Sequence, residues 1–191
     1  MKTAEIALIQ KAQKGDLEAF GDLVKIYESR VLALAYQVLG NTEDAEDVFQ
    51  EVFIKLHRKL GKFEFKSDFF TWLYRIVVNT ALSYRRKRIR HQHVSFQSDE
   101  DRENGWQWVP ADDCPDPGEQ AINEEFVQVM ENGLNTLPLM QRVVFTLRFL
   151  QEFKIREIAY ITNCSEGTVK NHLHRGTQKM KKILKPYMQM A

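Results

Sequence analysis

Residues 154–182 have the sequence KIREIAYITNCSEGTVKNHLHRGTQKMKK, in which two short helical patterns flank a tight turn. Ile158 and Ile161 belong to the apolar face of the first predicted helix. Asn163 suits the turn because asparagine tolerates the left-handed backbone that many such turns require, and Ser165 is a preferred N-cap for the second helix. The stretch therefore predicts a helix-turn-helix.

The second of these helices has two chemically different faces. Small or apolar residues recur at steps of four, three and four from Val169 to Met180. The opposite face and its flanks carry polar and basic residues, namely Gly167, Lys170, Asn171, His174, Gln178, Arg175 and Lys179. In helix-turn-helix proteins such a face contacts base edges in the major groove while lysine and arginine bind phosphates. A solvated helix pair in a bundle is the alternative interpretation.

The N-terminal half of the chain also predicts helices. Apolar residues recur at steps of three and four between Phe20 and Val38, after a favourable N-cap at Asp16. Gly40 suits a helix end, and Asn41 or Thr42 suits the start of a third helix. A fourth predicted helix begins near Ser67 or Asp68 and ends in basic residues.

Aromatic and basic residues cluster within residues 61–90. Six aromatic residues lie within twelve positions, Phe63, Phe65, Phe69, Phe70, Trp72 and Tyr74, and five basic residues follow, Arg85, Arg86, Lys87, Arg88 and Arg90. Aromatic rings beside a basic surface suit unstacked single-stranded bases and their backbone. The spacing of Phe69, Trp72 and Ile76 favours a buried face instead. We expect Phe63 and Phe65, in a loop between helices, to be the candidates for base stacking.

The third predicted helix carries an acidic strip. Asp47, Gln50, Glu51 and Ile54 lie away from the apolar positions of the same helix. Such a strip suits either a solvated surface or contact with a basic protein partner.

The middle of the chain differs from both ends. Between residues 99 and 125 ten acidic residues accompany one basic residue, and three of the five prolines fall here. This composition is poor at forming a core. We expect a mobile acidic linker at residues 93–118 that joins two small all-α domains, residues 1–92 and 119–191.

Several classes of function are excluded. No nucleotide-binding, metalloprotease or hydrolase motif occurs, so we expect neither an enzyme nor a bound cofactor. His91, His93 and Cys114 match no familiar metal-ligand spacing, so we expect no metal site. The two cysteines favour a reducing compartment, and the chain has neither a signal-peptide pattern nor an apolar run long enough for a membrane span. We therefore expect a cytoplasmic protein without direct membrane insertion.

Three segments, in this order, resemble the sigma-70 family of bacterial transcription initiation factors. Residues 44–56, DAEDVFQEVFIKL, resemble its region 2.2 helix, and residues 70–81, FTWLYRIVVNTA, resemble regions 2.3 to 2.4 of the extracytoplasmic-function subfamily. Residues 137–148, 155–161 and 167–170 resemble region 4. The pattern is similar to the envelope-stress, sigma-E-like group. Residues 61–66 depart from the family pattern.

The resemblance implies a sigma2 domain that binds core RNA polymerase and the −10 promoter element, and a sigma4 domain that binds the polymerase flap tip and the −35 element. The residues implied for polymerase binding are Asp47, Gln50, Glu51 and Ile54. Those implied for the −10 element are Phe63, Phe65, Asn79, Arg85, Arg86 and Arg88, and Phe63 and Asn79 match a pocket for a flipped base. Those implied for the −35 element are Ser165, Gly167, Thr168, Lys170, Asn171, His174, Arg175 and Lys179. An anti-sigma factor and a stress or envelope regulon are further expectations from the family.

Two other functions stay open at this point. A two-domain DNA-binding repressor or activator explains the helix-turn-helix but gives no role to the aromatic and basic cluster. A helical scaffold that binds only proteins gives no role to the basic face of residues 165–185.

Overall fold

The computed structural model describes residues 3–94 and 117–187, and the regular structure in these two ranges is entirely helical. The chain divides into two compact units, one built on the N-terminal helices and one on the C-terminal helices. Most of the predicted acidic linker, with Trp106, Trp108 and Cys114, lies outside the described residues, as do the side chains of His91 and His93.

Four helices form the N-terminal unit. They are α1 (Thr3–Gln13), α2 (Leu17–Leu39), α3 (Thr42–Lys59) and α4 (Phe69–Val94), and a short 3₁₀ turn, Leu60–Lys62, follows α3. Helix α2 packs against α1, α3 and α4, and α3 also packs against α4. The turn after α3 contacts α1. The four helices therefore surround one apolar core.

The predicted ends of these helices are confirmed. The Asp16 carboxylate accepts hydrogen bonds from the backbone N–H groups of Glu18 and Ala19, each at 3.0 Å, and so caps α2. Gly40 ends α2 with a left-handed backbone, φ 72°. Asn41 caps α3 by accepting a hydrogen bond from the N–H of Asp44 at 2.9 Å.

On α2 and α3 the core of the N-terminal unit comes from the apolar stripes that the sequence pattern indicates, whereas on α4 the predicted residue Trp72 is only half-buried and Leu73, Val77 and Ala81 are buried as well. The buried residues include Leu23, Val31, Leu34 and Val38 of α2, Val48, Val52 and Leu56 of α3, and Phe69, Leu73, Ile76, Val77 and Ala81 of α4. The acidic strip of α3 faces away from this core, which confirms the predicted orientation of that helix.

The C-terminal unit is built on α5 (Pro117–Asn135), α6 (Leu139–Phe145) and α8 (Glu166–Leu184), and α7 (Ile155–Thr162) comes between α6 and α8 in the sequence. Residues Thr146–Leu150 extend α6 as one π-helical turn. Proline is favoured at the first position of a helix, so the sequence predicts that α6 begins at Pro138. Pro138 is instead the N-cap of α6, with φ −54° and ψ 141°. Because proline fixes φ near this value and lacks an N–H group, it fits a position just before the first helical residue.

Helices α5, α6 and α8 form the core of this unit. Leu134, Leu137, Phe145 and Met180 pack together, with Met130, Ile183 and Leu184 at the edge. Gly133 lets α5 and α8 approach closely, because a Cβ at this position would lie only 3.0 Å from the Met180 methyl group.

The helical spacing of apolar residues within residues 122–137 and 143–150 predicts that Phe126 and Leu150 lie on apolar faces, but neither residue is buried. Phe126 of α5 is 43% exposed, and Leu150 is 39% exposed. Phe126 lies one helical turn or more before the residues of α5 that pack on α8, and Leu150 ends the π-helical turn beyond buried Leu147. The periodicity of both faces therefore continues past the packed part of each helix.

Candidate nucleic-acid and protein interfaces

The turn before α8 is built by a small set of local contacts. Asn163 has a left-handed backbone, φ 56°, as its residue type predicts. The N–H of Cys164 donates to the carbonyl of Ala159 at 3.0 Å. The Ser165 hydroxyl accepts a hydrogen bond from the N–H of Thr168 at 3.1 Å and lies 2.9 Å from the Thr168 hydroxyl. Ser165 is thus the N-cap of α8, and Thr168 completes the cap.

Helix α8 presents one face to the core and the other to solvent. Val169 is fully buried and Met180 is 1% exposed. The predicted DNA-contacting residues all lie on the exposed surface, namely Ser165, Gly167, Thr168, Lys170, Asn171, His174, Arg175 and Lys179. Within residues 3–94 and 117–187, the lysines and arginines of this set form no ion pair.

Gln178 adds a contact to this exposed face. Its amide nitrogen lies 3.0 Å from Nε2 of His174, one helical turn earlier. The sequence pattern predicts that Gln178 lies on the outer face but indicates no function for it. The spacing of four residues between His174 and Gln178 is the signal that could have identified their contact. His174 and Gln178 therefore form a polar pair on the exposed face that also carries Asn171, with lysine and arginine nearby in the sequence.

The structure corrects the prediction for Phe63. Its side chain is only 4% exposed and packs against Phe69 and Trp72, with ring centroids 5.3 and 5.0 Å apart. A buried ring is not free to stack on a base. The ring packs on Phe69 and Trp72 at the start of α4, and the sequence pattern did not distinguish Phe63 from Phe65.

Phe65 remains exposed beside it. Residues 63–68, the aromatic loop, connect the 3₁₀ turn to α4. The Phe65 ring is 36% exposed and lies 4.8 Å from the ring of Phe63. The exposed side chains of Glu64 and Lys66, which flank Phe65 in the sequence, form an ion pair with each other. The loop therefore presents one aromatic face on a buried aromatic floor.

The basic end of α4 is only partly available for DNA. Asn79 is exposed, and its amide donates to the carbonyl of Arg75 at 2.7 Å. Arg85 is half-buried. Arg86 is exposed and folds back on its own helix, donating to the carbonyl of Leu82 and to the Ser83 hydroxyl, each at 3.3 Å.

Arg88 requires a correction, because it pairs with the carboxylate of Asp44 on α3. Asp44 is 4% exposed, whereas the Arg88 side chain is 39% exposed. A buried carboxylate needs a paired cation, and Arg88 supplies it. This arginine therefore joins α3 to α4, and its Nη1 group is engaged with that carboxylate.

Tyr84 extends this contact to the acidic strip. Its hydroxyl lies 2.8 Å from Asp47 and 3.2 Å from Asp44, and it donates to these carboxylates. Partial burial, together with the two carboxylates, raises the pKa of Tyr84 well above its usual value. The hydroxyl therefore stays a donor at physiological pH and fixes the position of Asp47.

The acidic strip on α3 combines charge with an apolar edge. Asp47 and Gln50 are exposed, and Glu51 pairs with Lys55 at 2.8 Å. Ile54 is 53% exposed. It borders a groove of 440 Å³ lined by Phe20, Phe53, Ile54, His57 and Arg58. Acid next to exposed apolar surface is suited to a basic protein partner with an apolar anchor.

Sequence comparisons identify the class of protein that these surfaces define. Residues 23–91 match the family model Sigma-70 region 2, and residues 128–180 match Sigma-70, region 4. The chain belongs to the sigma-70 family of RNA polymerase sigma factors, which are non-enzymatic transcription initiation factors that bind core RNA polymerase and promoter DNA.

Within that family the relatives are extracytoplasmic-function (ECF) factors. The chain is 32% identical to the ECF RNA polymerase sigma factor SigW of Bacillus subtilis (strain 168), over 93% of this chain and 95% of the relative. It is 34% identical to the ECF RNA polymerase sigma-E factor of Escherichia coli (strain K12), over 94% and 93%. The fold matches the sigma factor RpoE, solved in complex with the anti-sigma factor NepR from Bartonella quintana, with a TM-score of 0.68, 24% identity, and 87% and 96% of the two chains covered.

Two features are absent from residues 3–94 and 117–187. No helix there is long and apolar enough to cross a membrane. No group of three or more histidine, cysteine, aspartate or glutamate residues there is arranged to hold a metal ion.

Proposed function

We propose that this sigma factor recognises the −35 element with the exposed face of α8 and the opened −10 element with the aromatic loop and α4, while the acidic strip of α3 binds core polymerase. Residues 1–92 act as the sigma2 domain, residues 93–118 as a linker and residues 119–191 as the sigma4 domain. The observation that carries the proposal is the exposed, cation-rich face of α8 behind the Ser165 cap.

The chemistry of that face supports DNA binding of two kinds. Asn171 and His174 offer hydrogen bonds to base edges, which distinguish sequences. Arg175 and Lys179 lie on the flank, where they meet phosphates whatever the sequence. Lys170 lies on the exposed surface beside them.

The −10 element requires a different surface because its bases become unpaired. In the proposal Phe65 stacks on an unpaired base, and Asn79, Arg85 and Arg86 contact the strand. Stacking on an aromatic ring contributes about 1–3 kcal/mol per base. Phe63 forms the buried floor under Phe65, and Arg88 pairs with Asp44 of α3.

An anti-sigma factor and a cytoplasmic location complete the proposal. The RpoE factor of the same fold was solved with the anti-sigma factor NepR. Both units have exposed apolar residues to which an inhibitor could bind. They are Ile54 in the N-terminal unit and Phe149 and Leu150 in the C-terminal unit. Control by such an inhibitor fits a stress or envelope regulon. Action on RNA polymerase requires the factor to work in the cytoplasm.

The test is binding to purified core polymerase, followed by promoter opening. We expect the full chain to co-elute with core enzyme at elevated salt and the complex to open a selected promoter. Reversing the charges with the double substitution Asp47→Lys and Glu51→Lys should weaken core binding. The fold should persist, because surface substitutions usually change stability by no more than about 0.5 kcal/mol.

A matched control makes the same charge change elsewhere. Glu18 and Glu28 are exposed residues of α2 outside the acidic strip, and their double substitution to lysine should leave core binding unchanged. Equal core affinity of the Asp47/Glu51 variant and wild type contradicts the proposed surface. DNA binding without any core binding favours the repressor or activator instead.

A further inference from the structure

The side chain of Gln13, the last residue of α1, joins two parts of the chain that are far apart in sequence. Its Nε2 donates hydrogen bonds to the carbonyl oxygens of Leu60, at 3.0 Å, and Phe63, at 2.8 Å. Since both acceptors are carbonyls, the amide nitrogen and not the amide oxygen must face them. Gln13 therefore fixes the backbone that leads into the aromatic loop.

The aromatic loop needs such an anchor because its backbone is strained at Phe65. This residue has φ 57°, in the left-handed region that bulky residues rarely adopt. A conformation of this kind persists where the surrounding structure over-determines it. Here the Phe63 carbonyl is held by Gln13, and the Phe63 ring is held between Phe69 and Trp72.

The strained backbone accompanies a specific position of the Phe65 ring. The ring lies against Phe63, with centroids 4.8 Å apart and an interplanar angle of 52°, and remains 36% exposed. One side of the ring thus has an aromatic support while another is open to solvent. An unstacked base finds a preformed partner there only if the loop keeps this conformation.

We propose that Gln13 is a positioning residue for promoter opening, which holds the aromatic loop so that the Phe65 ring meets an unpaired base of the −10 strand. The inference rests on the proposed function of the loop. Gln13 acts through the carbonyls of Leu60 and Phe63 and does not itself contact DNA.

The test uses the complex of the full chain with core polymerase. Wild-type complex first selects its preferred sequence from a randomised single-stranded DNA library, and variants are then measured on that oligonucleotide and on its single-base changes. Gln13→Glu replaces the donating amide with a carboxylate of the same shape. We expect it to lower affinity for the selected strand about tenfold, as the loss of one or two net hydrogen bonds implies, and to relax base preference at one position.

Three further variants make the result specific. Gln10→Glu makes the same change at an exposed position of α1 and should behave as wild type. Gln13→Met keeps the length of the side chain but has no hydrogen-bond donor. It tests the role of Gln13 if the Gln13→Glu variant fails to bind core polymerase. Phe65→Asn removes the ring and suits the left-handed backbone, so it should lower strand affinity while raising the thermal midpoint of the chain.

The base preference separates positioning from simple stability, because a destabilised chain loses affinity for every oligonucleotide alike. Relaxed preference at the same position in Gln13→Met and Phe65→Asn, with core binding retained, supports the proposal. The proposal is overturned if Gln13→Met keeps the wild-type strand affinity and base preference while Phe65→Asn loses both. If wild-type complex selects no sequence at all, the proposed function of the loop fails, and the role of Gln13 fails with it.

Discussion

Helices α4 and α8 carry most of the basic residues expected to bind DNA, and the fold uses them differently. On α4, Arg88 pairs with buried Asp44 and Arg86 folds back on its own helix. On α8, Arg175 and Lys179 are exposed and form no ion pair within the described residues. A run of basic residues in a sequence therefore shows how many cationic side chains a helix carries. It does not show how many of them are left without intramolecular partners and so can bind phosphates.

The difference follows from what each helix packs against. Helix α4 contacts the N-terminal end of α3, where the helix dipole favours acidic residues and where Asp44 is buried. Helix α8 packs its inner face on the apolar residues of α5 and α6. Substitutions of basic and polar residues on the two helices should therefore differ in their effect on the free energy of unfolding.

The largest change is expected for Arg88→Ala. The substitution leaves the Asp44 carboxylate buried without this cation, while the Tyr84 hydroxyl remains in contact. We expect a loss of about 2 kcal/mol in the free energy of unfolding, below the cost of breaking a fully buried pair because Arg88 is partly exposed. Equilibrium urea unfolding of the full chain, followed by helical circular dichroism, measures it.

Arg86→Ala is the matched control on the same helix. Its hydrogen bonds are exposed and local, so we expect unfolding to change by no more than about 0.5 kcal/mol. Affinity for the −10 strand should fall in this variant. Similar destabilisation by both substitutions would show that Arg88 has no special role in joining α3 to α4.

A smaller change is expected for Ser165→Ala. The hydroxyl accepts the N–H of Thr168, and loss of an N-cap of this type costs about 1 kcal/mol. Binding to every −35 sequence should weaken together, because the cap orients α8 as a whole. Ser29→Ala removes a hydroxyl from an exposed position inside α2 and serves as the control, with no expected loss. Changed base preference in Ser165→Ala would instead indicate a direct base contact.

Local chemistry made much of the fold predictable. The caps at Asp16, Asn41 and Ser165 and the left-handed residues Gly40 and Asn163 depend on neighbours within a few positions, so their sequence signals were sufficient. The apolar spacing of α2, α3 and α8 likewise identified their buried faces.

Contacts between distant residues were not predictable in this way. Asp44 and Arg88 are separated by 44 positions, and Gln13 and Phe63 by 50. Phe63 and Phe65 have the same side chain two positions apart, and only the packing of α4 determines which ring turns inward. The spacing of apolar residues therefore identified the helices that carry the candidate residues, but which of these side chains are buried or paired required the structure.

The smallest change in stability is expected for two residues of α8, Asn171 and Lys179, whose effects on DNA binding should differ in kind. Both are exposed, so unfolding should change by no more than about 0.5 kcal/mol for either alanine substitution. Asn171→Ala should lower affinity for the preferred −35 sequence by about 1–3 kcal/mol and relax preference at one or two positions. Lys179→Ala should weaken all sequences alike and reduce the salt slope by about 0.9.

The measurement is binding of the full chain, in complex with core polymerase, to a panel of −35 variants at several salt concentrations. Asn171→Ala should leave the salt slope unchanged, because a neutral amide releases no counterions on binding a base. A uniform loss of the same size in both variants would contradict the placement of α8 in the major groove. Specificity would then have to come from the shape of the DNA and not from its base edges, and the exposed face of α8 would bind phosphates alone.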